Sequence, residues 1–458
     1  MEYKFWGELD EETKKGFRPI QYNNKVSSFF RTQKFVWEEQ AENGFQYITE
    51  AVYTNDTVFN GIDVGGILEF QNCYFTGDFR ISGSCNGKLT FKNCVFEKEL
   101  IIDINTDYAL NLDLIDVLVQ KQLIIFGGKF NEVRTSFQRN PVIKINGGEF
   151  KDFTIGYWGK QSEIKDIYFE TAKIDGVIAL MKSAVQRIHI SGNNKKCELY
   201  FEGFKVASLT IYRFLNEGRL RIQNMMAIKP TERSEIVVYD SKLTNTEFYE
   251  TDLSKFNVIL HDSFVSETLF INIEWPKYIL PYGGTYISDD EKKIPSKIIE
   301  AKKQKDVYRQ IKFALNKQGD TIGEHYFHSL EMITYNKTLS GRERRNWGTK
   351  LVIGLSNIFS DFGQSLSLPF LWLIGGGYFL YLLMISCFSY GNYKIVSCAN
   401  NDWNVFLNAF AEFIRILNPL HKNDPELMGW LLLIDIILRI WSSYMLYNFI
   451  RASRRFIK

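Results

Sequence analysis

The residues best placed to do chemistry lie in an apolar run near the C-terminal end. Asp435 and Arg439 interrupt Leu427–Ile450 (LMGWLLLIDIILRIWSSYMLYNFI), and their spacing puts them on one face of a helix. Ionisable groups inside a bilayer line a water path or pair with one another, and both readings stand here because they are compatible. Just upstream, Glu412 and Arg415 belong to a short apolar-periodic segment, Trp403–Leu417, that runs into Asn418 and Pro419. Asp435, Arg439, Glu412, Arg415 and Asn418 are therefore the candidates for pore-lining or intramembrane charge.

A second set of charges lies mid-chain. The stretch Arg213–Arg233 (RFLNEGRLRIQNMMAIKPTER) is basic, and Lys195, Lys196 and Lys205 lie close to it in sequence. Tyr200, Phe204, Tyr212 and Phe214 interleave with Arg213, Arg219 and Arg221. Backbone charge and base stacking hold single-stranded nucleic acid, so Lys195, Lys196, Lys205, Arg213, Arg219, Arg221 and Tyr212 suit a nucleotide or oligonucleotide ligand. The plainer alternative is that the aromatics are core and the cations a solvated face. His325 and His328 sit one helical turn apart without a further ligand at metal spacing, which reads as packing or surface. No Gly-rich phosphate loop with its Lys, no HExxH and no GxSxG occurs, so neither an enzyme nor a cofactor is expected.

These side chains need elements to hold them. Ser367–Phe388 carries no charged residue, and a helix of that length covers the ~30 Å hydrocarbon core of a bilayer. Leu427–Ile450 is a second span of similar length, and Trp403–Leu417 between them reads as a re-entrant helix. Arg342, Arg344, Arg345 and Lys350 precede the first span, and Arg451, Arg454, Arg455 and Lys458 follow the second. The connecting loop sets Lys394, Arg415 and Lys422 against Asp402, Glu412, Asp424 and Glu426. By the positive-inside rule both termini face the cytoplasm. Leu351–Gln364 is amphipathic enough to lie along the inner interface.

Mean hydropathy is nevertheless negative, because the apolar runs are confined to the C-terminal quarter of the 458 residues. The net charge of +2 points to no nucleic-acid binder as a whole. Six cysteines without CxxC spacing, behind an N-terminus lacking a signal-peptide core, read mostly as reduced cytosolic thiols. From Thr57 to Glu274 short alternating runs are separated by Gly, Asn and Asp. LEFQNCYFTGDFRISG (Leu68–Gly83) aligns with LTFKNCVFEKELIIDI (Leu89–Ile104), matching Phe70 to Phe91, Asn72 to Asn93, Cys73 to Cys94 and Phe75 to Phe96 at a spacing of 21. That period predicts a parallel β-solenoid, with Asn72 and Asn93 at left-handed corners and the cysteines as small fillers. An ordinary β-sandwich is the competing fold. Residues 1–50 read as an end cap, 51–275 as the solenoid, 276–345 as a helical hairpin linker and 346–458 as a transmembrane pore domain. In the hairpin, Val307, Ile311, Ala314 and Leu315, then Ile322, Tyr326, Leu330 and Ile333, form the expected apolar stripes.

The motifs VYRQIKFALNKQGD, EHYFHSLEM and FGQSLSLPFLWL, with the segment after Trp403, resemble two-transmembrane potassium-channel-like domains. The whole layout resembles bacterial proteins that join a pentapeptide-like β-solenoid to such a domain. That resemblance implies a homotetrameric ion channel gated by a cytoplasmic sensor. The chain departs from it where a potassium filter supplies a TVGYG-type row of carbonyls, since ILNPLHK (Ile416–Lys422) has Pro419 and no glycine. In architecture the chain is also similar to anti-phage membrane effectors such as the Hailong channel component, which implies control by an oligodeoxynucleotide. A membrane-anchored scaffold that binds a partner and a carbohydrate-active solenoid are the alternatives.

Overall fold

The computed structural model describes residues 8–20, 45–54, 56–60, 63–83, 86–105, 109–157, 162–228, 234–280, 296–339, 344–388, 403–422 and 429–453. Most of the cap segment, together with Arg342, Lys394, Asp402, Asp424, Glu426, Arg454, Arg455 and Lys458, lies outside the described residues. The chain divides into two units, Met1–Tyr286 and Ile287–Lys458.

In the first unit the alternating runs wind into a parallel β-solenoid of about 10 turns. Two sheets, of 15 and 11 strands, run along it, each strand parallel to its equivalent in the next coil. Parallel stacking of every coil on the next is incompatible with the antiparallel sandwich. Each strand turns alternate side chains inward, so equivalent residues form rows along the axis. One row is Leu100, Leu123, Ile143, Ile167, Ile188 and Leu209, all fully buried. Each such side chain contributes about 1.5–3 kcal/mol on leaving water. Where the repeats align best, the rings stack face to face: Phe70 on Phe91 at 4.9 Å and Phe75 on Phe96 at 4.6 Å.

The corners explain the Asn–Cys repeat. Asn72 and Asn93 adopt φ of 56° and 55°, and Lys182, Asn224 and Glu250 take the same left-handed conformation at later corners. In that conformation the N–H points along the axis: Asn72 donates to the Lys92 carbonyl at 3.0 Å, Asn93 to Ile115 at 2.9 Å and Lys182 to Glu202 at 3.1 Å. At four of these five corners the next residue is buried and small, and donates back two residues: Cys73 to Gln71 O, Cys94 to Lys92 O, Ser183 to Met181 O and Thr251 to Tyr249 O. The thiols thus do the work of hydroxyls. Burial pushes the Cys94 thiol well above its ordinary range, so it stays a protonated donor, and pushes Cys197 up to about 12. Some coils are longer than others: Phe70 pairs with Phe91, but Ile155 pairs with Leu180 and Ile222 with Phe248. These insertions blur the period in later copies. At the N-terminal end, helix α1 (Glu11–Lys15) is followed by Arg18–Ile20, which pairs with Ala51–Tyr53 and covers the edge of the first coil.

The second unit is helical. α2 (Ser296–Gln318) and α3 (Thr321–Thr338) form a hairpin, turned by Gly319 at φ 77° and capped by the Asp320 carboxylate, which accepts from Gly323 N at 2.9 Å. Val307, Ile311, Ala314 and Leu315 are buried as their spacing predicts. The stripe on α3 is rotated from the expected one: Ile322 and Ile333 are exposed, whereas Phe327, Glu331 and Thr334 are buried. Phe327 meets the Tyr308 ring, and Glu331 is drawn inward by Lys312, whose Nζ donates to it at 2.6 Å. α4 (Arg344–Ser360) leaves Trp347, Leu351, Val352, Leu355 and Ile358 exposed. Asp361, Phe362 and Gly363, all with positive φ, then turn the chain into α5 (Ser367–Phe388). α6 (Trp403–Leu417) and α7 (Trp430–Ser453) complete the unit.

α5 and α7 are long and apolar enough to cross a membrane, and 22% of each apolar window is buried. A core helix of a water-soluble protein would be mostly covered. The two pack closely because Gly376 lies under Trp441, where an added Cβ would come within 2.4 Å of the ring, and Trp441 Nε1 donates to Trp372 O. Gly377 receives Leu417 of α6 in the same way, whereas a Cβ added at Gly375 would meet no neighbouring element within 4 Å. Two of the three glycines therefore serve close packing.

Candidate functional site: a buried charge cluster and a polar helix stripe

Asp435 is 1% exposed, on the second turn of α7. Its Oδ2 accepts from Arg439 Nε at 2.8 Å, the pair expected from their spacing. Its Oδ1 meets His421 Nε2, also at 2.8 Å, a partner that the sequence alone did not point to. His421 lies fourteen residues upstream in the turn after α6, and only the fold of that turn brings it back to α7. The Asp435 carboxylate thus sits between two basic groups, which ties the turn to the helix. Such a cluster is costly to desolvate and is held by mutual neutralisation.

Asn418 organises the turn. Its carbonyl accepts from His421 N at 3.0 Å and faces Nδ1 at 2.7 Å, while its side-chain oxygen accepts from Leu420 N at 3.1 Å. Glu412 and Arg415 pair with each other at 2.8 Å on the surface of α6. That helix has three faces: Phe413, Ile416 and Leu417 pack on α5 and α7, Trp403, Leu407, Phe410 and Ile414 form an exposed apolar stripe, and Asn404, Asn408 and Arg415, with half-buried Glu412, form a polar one. Helical spacing alone generates this arrangement.

The basic residues of the solenoid fall into two groups. Lys196, Arg219 and Arg221 lie on one sheet, and Lys205, Tyr212 and Arg213 on the strand Lys205–Asn216 of the other. Most are answered by carboxylates: Arg219 and Arg221 share Glu247 at 3.0 and 3.8 Å, Lys196 meets Asp175 at 3.1 Å and Arg213 meets Asp240 at 3.6 Å. Phe204 and Phe214 are core, while Tyr212 stacks on Tyr239 at the surface and lies under Arg213. Lys195 joins Lys196, Gly218 and Arg219 around a hollow of about 410 Å³. Beside it a groove of about 520 Å³ runs over Val177 and Ala179, between Tyr157 and the pair Tyr200–Arg221. Arg134 covers the Tyr157 ring, and Arg221 covers those of Tyr200 and Tyr249. The Tyr200 hydroxyl is held above its usual titration range by burial and by donation to Glu202. In the hairpin, His328 is held below its usual range by burial and by Lys312. Among the described residues no three His, Cys, Asp or Glu side chains converge as a metal site.

No protein-family model, curated protein or solved structure matches the chain.

Proposed function

We propose that the chain forms an oligomeric ion channel of a bacterial inner membrane, a tetramer in which α5 and α7 span the bilayer and both termini face the cytoplasm. The solenoid is the sensor and the α2–α3 hairpin carries its state to the spans. The carrying observation is the polar stripe of α6, with Asn404, Asn408, Glu412 and Arg415 presented on a short helix braced against two mostly uncovered apolar helices. Polar groups at membrane depth are stable where they meet water or one another, and several copies of this stripe provide a wetted path. The exposed apolar face of α4 supports its lying along the interface. The groove beside Tyr200 and Arg221 is the place on the solenoid for a nucleotide or a single-stranded oligonucleotide, whose phosphate would compete with Glu247 for Arg219 and Arg221. In this reading, as in the anti-phage effectors that the layout resembles, opening dissipates ion gradients.

Purified full-length protein in planar bilayers tests the proposal. It should pass current, and Asn408→Leu should lower the unitary conductance. Absence of current with and without oligonucleotides would sink it. A second reading, the membrane-anchored scaffold, draws on the burial of Asp435 between His421 and Arg439, which gives the span charges a cohesive role. Exchanging residues 346–458 for an unrelated two-span anchor separates the two, since a scaffold keeps its partner and its effect.

A further inference from the structure

The contacts of His421, in the turn after α6, require one proton more than His421 and Asp435 carry in their ordinary neutral-pH forms. His421 presents Nδ1 to the Asn418 carbonyl at 2.7 Å and Nε2 to Asp435 Oδ1 at 2.8 Å. A carbonyl oxygen accepts only, and so does an ionised carboxylate. Neutral imidazole has one N–H and one bare nitrogen, so it would set a lone pair against a lone pair at one of these contacts. Both are satisfied when the His421–Asp435 pair holds an added proton. Arg439 Nε donates to the other carboxylate oxygen at 2.8 Å, the arrangement of an anion between two cations, in which the ring is imidazolium.

We infer that His421 is a proton-dependent latch that clamps the turn at residues 418–422 onto α7. With the proton bound, the ring bridges Asn418 and Asp435; with the proton lost, one bridge becomes repulsive and the turn is released. Among the described residues, the charged groups on the elements around the ring are few. α7 supplies Asp435 and Arg439, the turn supplies exposed Lys422, and α6 supplies Glu412 and Arg415, which pair with each other. α5 contains no charged residue, and its titratable side chains are Tyr378, Tyr381 and Cys387. Among the described residues, Asp435 is thus the one carboxylate that His421 meets. The latch holds while the His421–Asp435 pair keeps the added proton that the two contacts require, and opens when base removes it. Release would leave α6 attached to the spans through Phe413, Ile416 and Leu417, free to shift its polar stripe. The inference rests on ring geometry and does not depend on whether the protein conducts.

Hydrogen exchange of the Leu420 and His421 amides, in full-length protein in lipid nanodiscs, tests it between about pH 5 and pH 9. These amides donate to Asn418 Oδ1 and Asn418 O. After correction for intrinsic exchange, their protection should fall about tenfold or more as pH rises, the worth of one charge-assisted hydrogen bond. His421→Lys, charged throughout the range, should show no step, and His421→Gln should stay at the low level. Wild-type protection that is flat across the range would overturn the inference, as would a wild-type-like step in His421→Gln.

Discussion

Removing the Asp435 carboxylate is the most informative perturbation, because two basic groups depend on it. It is almost wholly buried, accepts from Arg439 at 2.8 Å and meets His421 Nε2 at 2.8 Å. Deleting one partner of a buried ionic cluster costs about 3–5 kcal/mol, chiefly because the remaining charge is left uncompensated. Arg439 keeps 24% of its side chain exposed and can recover some hydration, so the low end, about 3 kcal/mol, is expected for Asp435→Ala. That is roughly a hundredfold change in the folding equilibrium. Titration of the full-length protein in mixed micelles with dodecyl sulfate, followed by tryptophan fluorescence, measures it. The double variant Asp435→Leu with Arg439→Leu should cost less than the two single substitutions together, since replacing a whole ion pair by apolar side chains is close to neutral. Asp435→Ala within about 0.5 kcal/mol of wild type would refute the cluster's cohesive role, as would strict additivity in the double variant.

Further expectations concern packing, corners and titration. In the same assay, Gly376→Ala should lose about 1–3 kcal/mol, because the new methyl meets the Trp441 ring at 2.4 Å, whereas Gly375→Ala, with open space around it, should be neutral or gain up to about 1 kcal/mol; the reverse order would refute this packing. Asn216→Ala should cost the solenoid about 2–4 kcal/mol, because the buried Asn216 amide joins Asn194 Nδ2, Thr244 O and Thr246 Oγ1, and far-UV circular dichroism melts will show whether it does. Cys94→Ser should melt within about 1 kcal/mol of wild type, because Ser183 makes the same bond at its own corner. His328, held low by burial beside Lys312, Arg451 and His325 with only Glu331 to offset them, favours the fold when neutral. Its contribution is therefore present above the ordinary histidine range and lost as pH falls through the depressed one. Acid should weaken the α2–α3 hairpin, and His328→Gln should flatten that dependence in fluorescence-monitored unfolding.

The solenoid was legible where coils have equal length. Phe70, Asn72, Cys73 and Phe75 recur intact because a ring stack, a left-handed corner and a small buried donor must each lie directly over their equivalents. The signal fades between Ile155 and Leu180, where the coil lengthens while the stacking persists. The outer face was less legible, since Lys196, Arg219 and Arg221 read as free cations until Asp175 and Glu247 come beside them from neighbouring coils. On α3, helical periodicity named Ile322 and Ile333 for the core, and the pull of Lys312 on Glu331 rotated the buried stripe. Periodicity locates an apolar face within about a residue, and a specific pair across the hairpin sets the final rotation.

Local pattern alone therefore determined the parallel coils, the two long apolar helices and the Asp435–Arg439 pair, because each shows as a regular spacing, from coil to coil or within one helix. The tertiary structure decided the rest: Gly376 under Trp441, Gly377 under Leu417, Glu247 between two arginines and His421 against Asp435. These contacts join residues whose separation in the chain carries no period, and only the folded path brings them within reach.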